Sequence, residues 1–227
     1  MFKNNNIIKN LEKTKREIKE ACLLAKVPEK NINLVAVSKT IESPYICEAA
    51  KMGHRAFGEN KVQEAIQKWP DIKKLYPKTI LHMIGPLQSN KVKDAIKIFD
   101  VIETLDREKI ALELKKNINK FKSFPKIYVQ VNIGEEKQKS GCPPSEAKKF
   151  ISNCNDYGLN IEGVMAIPPQ DKDPAPYFAL LSNIAKESNI KNISMGMSKD
   201  FEMAIYLGAT SVRVGTKIFG ERKDKKF

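Results

Sequence analysis

Residues 34–40 read Leu-Val-Ala-Val-Ser-Lys-Thr. Four apolar residues in succession are the pattern of a strand buried on both faces, the kind that builds parallel sheets. An open dinucleotide-binding sheet would follow its first strand with a Gly-rich turn. Here Ser38-Lys39-Thr40 follows, with no glycine. Lys39 therefore stands where a buried strand ends. Burial lowers the pKa of an ammonium group, and a neutral amine in a pocket forms Schiff bases with aldehydes and ketones. Taken alone, a lysine that merely leaves the core and reaches water is the plainer reading. The rest of the chain has to decide between the two.

Working outward, short apolar runs alternate with helical patterns. Strands are predicted over 34–38, 54–58, 79–84, 99–103, 127–133, 161–166, 192–195 and 211–214. Helices are predicted over 44–52, 60–68, 88–97, 106–120, 144–157, 175–187, 199–207 and 216–221, after an amphipathic helix over 6–26 that presents Ile7, Leu11, Ile18, Cys22 and Ala25 on one face. Gly53, Gly158 and Gly208 follow helical stretches, where a left-handed cap ends a helix. About eight strand–helix units in 227 residues predict an α/β fold, a single (β/α)8 TIM barrel with an extra N-terminal helix. The expected organisation is one domain over 1–227, with 1–30 packing on the barrel. In that fold the chemistry gathers at the C-terminal ends of the strands. Val35, Val37 and Lys39 alternate onto one side of the first strand, so the amine is expected over the barrel mouth.

Composition narrows the function classes. The chain is 41% hydrophobic and 30% charged, which supplies a core for a domain of this size. No run is long enough to span a bilayer and the N-terminus lacks a signal-peptide core, so a cytoplasmic location is expected. Cys22, Cys47, Cys142 and Cys154 form no Cys-x-x-Cys pair, and His54 and His82 are the two histidines, so no structural zinc site is expected and the cysteines read as reduced. The net charge of +13 raises the question of nucleic acid. The lysines are scattered, however, and only 222–226 is dense, which reads as a solvated surface that would also favour a phosphorylated ligand.

Two late segments bear on Lys39. Ser194-Met195-Gly196-Met197-Ser198 precedes a helix, with Ser198 expected as its N-cap and Asp200 in its first turn. Free N–H groups in such a turn bind anions. An ordinary loop with a capping serine is an equal alternative for that segment alone. In Ser211-Val212-Arg213-Val214-Gly215-Thr216, Arg213 lies inside an apolar strand and must find acceptors. Its plain alternative is a salt bridge to a carboxylate such as Glu221. Gly215 lets backbone approach a ligand, and Thr216 begins the last helix. Loops after strands seven and eight are the usual phosphate site of a TIM barrel. Lysine, arginine and phosphate turns at one mouth suggest pyridoxal 5'-phosphate (PLP), its aldehyde on Lys39 and its ring nitrogen facing Arg213. An arginine there leaves that nitrogen unprotonated, a poorer electron sink.

At this point the chain resembles the pyridoxal phosphate homeostasis protein family. The matching segments are 34–40 (LVAVSKT), 57–63 (FGENKVQ), 82–91 (HMIGPLQSNK), 131–141 (VNIGEEKQKSG), 163–168 (GVMAIP), 194–200 (SMGMSKD) and 212–220 (VRVGTKIFG), in order across nearly the whole chain. The resemblance implies a barrel related to the N-terminal domain of alanine racemases. It implies a cofactor lysine at Lys39, phosphate contacts from Ser194, Gly215 and Thr216, Arg213 at the ring nitrogen, and Asn60 as a further pocket residue. Leu81 departs from the family, which often has an aromatic before His82, and altered packing beside the ring is expected from it.

The expected function is to hold PLP as a Lys39 aldimine in intracellular PLP homeostasis without turnover. No catalytic residue and no metal site is expected. The alternative is a PLP-dependent amino-acid racemase; an aldolase and a nucleic-acid module are further classes. Racemisation needs an acid/base on each face. In alanine racemases a tyrosine from another domain supplies the second, and no such domain is expected beyond the eighth unit here. Tyr128 lies in a strand, with nothing marking it as that base. His82 reads as a pocket group or a packed core histidine. Glu59 and Glu136 read as mouth acids or, more simply, caps and surface groups. Lys91 reads as a second anion site or a solvated residue, and Cys142 as unreactive. Expected partners are PLP and apo PLP-dependent enzymes, with no specific nucleic acid, no membrane and a monomeric state.

Overall fold

In the computed structural model, residues 7–221 are described. The apolar runs form eight strands: β1 Asn33–Val37, β2 Ala56–Glu59, β3 Ile80–Met83, β4 Val101–Leu105, β5 Lys126–Val131, β6 Ile161–Ala166, β7 Asn192–Ser194 and β8 Ser211–Val214. They pair in parallel and in chain order, and β8 returns to β1, closing the barrel. The helices are α1 Ile7–Ala25, α2 Ser43–Lys51, α3 Val62–Leu75, α4 Val92–Ile98, α5 Glu108–Lys115, α6 Pro144–Asp156, α7 Ala175–Glu187, α8 Phe201–Tyr206 and α9 Thr216–Phe219. This is the (β/α)8 architecture that the alternating pattern predicts. Among the described residues, no helix is long and apolar enough to cross a membrane. The basic stretch 222–226 and residue 6, the expected first residue of the N-terminal helix, lie outside the described residues.

The extra helix α1 packs on α8 and α9. It buries Ile7, Leu11, Ile18 and Cys22, as its 3.6-residue period requires. Two long-range bonds tie it to the end of the barrel: Asn10 Nδ2 donates to Ile218 O at 3.1 Å, and Lys217 Nζ lies 2.8 Å from Glu17 Oε2.

Two expected boundaries move for physical reasons. The helix predicted over 60–68 continues to Leu75, straight through Pro70. Trp69 and Ile72 are buried on its inner face, while Pro70 and Ile66 are exposed. The carbonyl that Pro70 leaves without a partner thus faces water, where the loss is small. Secondly, β4 runs past residue 103 to Leu105. Glu103 therefore sits in the middle of a strand, and not at its end.

Most apolar side chains pack between the strands and the helices, in a core that includes Ala36, Phe57, Trp69, Leu81, Ile102 and Val212. The opposite face of each strand lines the barrel interior. That interior is where the polar residues converge.

Candidate functional site

Lys39 is half-buried, two residues beyond the end of β1. Val35 lies directly across from Arg213 in the β1–β8 ladder, so both face the same side. Ser38 faces the other way: its Oγ donates to Glu59 Oε1 at 2.7 Å on the helix side. Lys39 comes next, in the turn that leaves β1 at the C-terminal end of the strand, which is the mouth of the barrel. The backbone here turns back sharply. Ile41 N–H donates to Ser38 O at 3.0 Å, and Thr40 has φ of 65°.

Arg213 is buried on β8 and bound from several sides. Nη1 donates to Ser194 Oγ at 2.6 Å and Nη2 to Ala166 O at 2.9 Å. Ser194 Oγ in turn donates to Glu103 Oε2 at 2.6 Å, and that carboxylate lies 3.8 Å from Arg213 Nη1. The other oxygen of Glu103 is 2.7 Å from His82 Nδ1. Burial alone would raise the Glu103 carboxyl, but the His82 ring, Arg213 and the Ser194 hydroxyl outweigh it and hold it below the usual range. Burial lowers the Arg213 guanidinium, and Glu103 opposes the shift. These bonds occupy two of the five N–H donors that a guanidinium carries.

The bonding of Arg213 settles which carboxylate it meets. Glu221, the partner that sequence proximity suggested, is not the one; Glu103 on β4 is. Glu103 was missed by sequence reasoning although it carries the same signal as Arg213, a charge inside an apolar run (Val-Ile-Glu-Thr-Leu, 101–105). The expected strand ended on it, where a carboxylate reads as a cap. His82 is a member of the same buried network.

Asn60 follows β2 at the mouth and is half-buried. Its Oδ1 is buried with no hydrogen-bond partner. Such an orphan costs about 1–3 kcal/mol. The β3 loop crosses it closely: a Cβ on Gly85 would lie 2.3 Å from Asn60 O, so only glycine fits. Gly215 follows β8 and lies against β1, where an added Cβ would meet Val37 Cβ at 3.3 Å and Val37 O at 3.4 Å. Thr216 is exposed beside it at the start of α9.

The turn after β7 departs from expectation in one respect. Ser198 is not the N-cap of the following helix; Asp200 occupies that position. The Asp200 carboxylate accepts the Met197 N–H at 2.5 Å, and Arg213 N–H donates to Gly196 O at 2.9 Å. Asp200 thus already uses one of the N–H groups expected to face an anion. Ser194 is fully buried, and its hydroxyl proton goes to Glu103.

The remaining candidates divide. Glu59 is neither a cap nor a surface group. It is fully buried behind β1, where it accepts from Ser38 Oγ and from Trp69 Nε1 at 3.1 Å, with Lys68 Nζ at 2.8 Å. Burial pushes its carboxyl up, against the pull of Lys68. Glu136 lies in a loop beside Lys139 Nζ, at 2.5 Å. Lys91 ends a short 3-10 turn, Ser89–Lys91. Cys142 is buried, and burial pushes its thiol up to about 12, in keeping with an unreactive residue. Among the described residues all four cysteines are free, and no group of His, Cys, Asp and Glu could hold a metal. Leu81 packs in the helix-side core with parity opposite to His82, so the expected change beside a ring at the mouth does not follow from it.

Comparison with known proteins agrees with the fold. Residues 5–223 match the family model described as "Alanine racemase, N-terminal domain". A "Pyridoxal phosphate homeostasis protein" of Pasteurella multocida is 38% identical over 234 residues, covering 97% of this chain and 99% of the relative. The solved structure of PipY from Synechococcus elongatus with PLP bound superposes with a TM-score of 0.76 at 32% identity, covering 89% of this chain and 100% of that one. An alanine racemase of Clostridium difficile shares the fold, with a TM-score of 0.70 at 18% identity over 98% of this chain and 58% of its own.

Proposed function

Since the chain belongs to the family of pyridoxal phosphate homeostasis proteins, built on the alanine racemase N-terminal domain, we propose that it binds PLP reversibly through Lys39 and serves as a holder of that cofactor. One observation carries the reading. The β1–β8 pairing, with Val35 opposite Arg213, brings Lys39, Arg213, Gly215 and Thr216 to adjacent strand ends at one mouth. Bound PLP supplies an aldehyde that bonds reversibly to a primary amine.

The chain's residues suit that ligand. Lys39 would add its amine to the aldehyde carbon, with loss of water. Arg213 has donors to spare and stays charged beside Glu103, so it would donate to the ring nitrogen and keep a proton off it. Asn60 is half-buried at the same mouth, with its amide oxygen unused. Gly215 and Thr216 would receive the phosphate at an open backbone turn. For Ser194 to donate to the phosphate as well, its hydroxyl would have to turn away from Glu103; in its present orientation it holds Arg213.

We further propose that the protein acts in the cytoplasm as a monomer, exchanges PLP with apo PLP-dependent enzymes, and binds no nucleic acid specifically.

The test is direct. Protein mixed with PLP should turn yellow, and borohydride should fix the cofactor on the peptide carrying Lys39. Lys39→Ala should lose both responses and keep the fold by circular dichroism. Attachment at another lysine would overturn the assignment. Fast deuterium exchange at Cα of any one amino acid in D2O would overturn the holder reading in favour of an enzyme.

A further inference from the structure

The turn that carries Lys39 has an unusual backbone. Ile41 N–H closes it onto Ser38 O at 3.0 Å, so Lys39 and Thr40 are its two central residues. Thr40 has φ of 65°, and Lys39 is not among the positive-φ residues. Positive φ at the second central residue alone is the type II arrangement, which normally takes glycine or asparagine there. A β-branched threonine is a poor occupant, and such a residue persists only where its surroundings over-determine it.

Those surroundings are two side chains one turn apart on α3. Glu64 Oε1 accepts the Thr40 N–H at 2.6 Å. Lys68 Nζ donates to Ser38 O at 3.0 Å, to Ile41 O at 3.1 Å and to Glu64 Oε1 at 2.8 Å. Lys68 thus grips both ends of the turn while Glu64 grips its middle. The side chain of Thr40 completes the frame: Oγ1 donates to Lys39 O at 2.6 Å. Both polar groups of the Lys39–Thr40 peptide are therefore held. Flipping that peptide to the common type I form would relieve Thr40 but turn its N–H away from Glu64. Behind the clamp, the fully buried Glu59 anchors Lys68 at 2.8 Å.

We propose that Glu64 and Lys68 are positioning residues, an ion pair on α3 that locks the Lys39 turn in its type II form and so presents the amine to PLP. The inference rests on the proposed role of Lys39 but adds residues that act through the backbone of its turn. It explains why a lysine and a glutamate on the outer helix reach back to backbone groups on either side of the cofactor lysine.

Glu64→Met and Lys68→Met are the test variants. Lys68→Met also strips Glu59 of its counter-ion and is at risk of misfolding. Glu64→Met leaves the Lys68–Glu59 pair in place and guards against that outcome. In the protein without cofactor, the Thr40 amide should lose hydrogen-exchange protection by about tenfold or more in Glu64→Met, the worth of a charge-assisted hydrogen bond. With PLP and borohydride, covalent trapping at Lys39 should slow by a similar factor. Thr40→Gly in the Glu64→Met background should recover part of that rate, because glycine takes positive φ without strain. Lys68→Arg should recover more than Lys68→Met. A folded Glu64→Met protein with unchanged Thr40 protection and unchanged trapping overturns the clamp. Failure of the wild-type protein to trap PLP at Lys39 overturns the proposed function instead, and the exchange measurement then still reports on the clamp itself.

Discussion

At the scale of the single residue, burial decides protonation, and His54 shows it most plainly. Its ring is buried, with Nε2 2.7 Å from Ala56 O and Phe57 edge-on at 5.1 Å. Desolvation, aided by Lys15 and Arg55, lowers its pKa from 6.5 to about 4 despite the carbonyl contact. Between those values the unfolded chain binds a proton that the folded chain refuses. The stability from neutral His54 is complete above pH 6.5 and is lost as pH falls toward 4, by about 3 kcal/mol at most. His54→Gln should flatten this part of the stability curve, measured by urea unfolding at pH 4.5 and pH 7. A variant with the same pH slope as the wild type would assign the acid sensitivity to other groups. The residue scale is also where the sequence was most legible. Lys39 and Arg213 stood out because each interrupts an apolar strand or ends one, and a charge there needs a reason. Asn60 offered no such signal; its orphaned oxygen is visible only when the loop carrying Gly85 covers it.

At the scale of the element, α3 does more than cover the barrel. Its inner face carries Trp69 and Ile72 into the core, and its first two turns carry Glu64 and Lys68 back to the Lys39 turn. Pro70 sits on the exposed side, where helix propensity is the main determinant. Pro70→Ala should restore a backbone bond to Ile66 and raise stability by roughly 1 kcal/mol, seen as a higher Tm. A lower Tm would mean that the proline's restriction of the unfolded chain outweighs the recovered bond. The end of α3 was illegible in the sequence because a proline is the usual stop signal. Only the burial of residues beyond it shows that tertiary packing carried the helix on.

At the scale of the whole molecule, the barrel interior is joined by a polar network that crosses it. His82 on β3, Glu103 on β4, Ser194 on β7 and Arg213 on β8 are linked side chain to side chain, and Arg213 adds the Ala166 carbonyl of β6. Removing one charge from a buried pair leaves the other stranded, at a typical cost of 3–5 kcal/mol, whereas apolar replacement of both is often tolerated. Glu103→Leu should therefore destabilise the barrel by about 3–5 kcal/mol, and Glu103→Leu with Arg213→Met should recover much of it. Denaturant unfolding of the two variants checks this. An equally unstable double variant would show that the side chains' shapes, and not their charges, hold the interior together.

The sequence by itself determined the barrel and its lysine. Strand and helix periods are local properties, and eight of them in alternation leave few ways to bury both faces of every strand. The partners of the polar residues were decided by the tertiary structure alone. Ser194 and Glu103 are 91 positions apart, and they meet because closure of the barrel places β4 and β7 across one interior. Glu59 looked like a cap and became the buried anchor behind the Lys39 turn for the same reason. A charge in an apolar run announces that it needs a counter-ion, but which one it finds depends on which strands the closed sheet brings face to face.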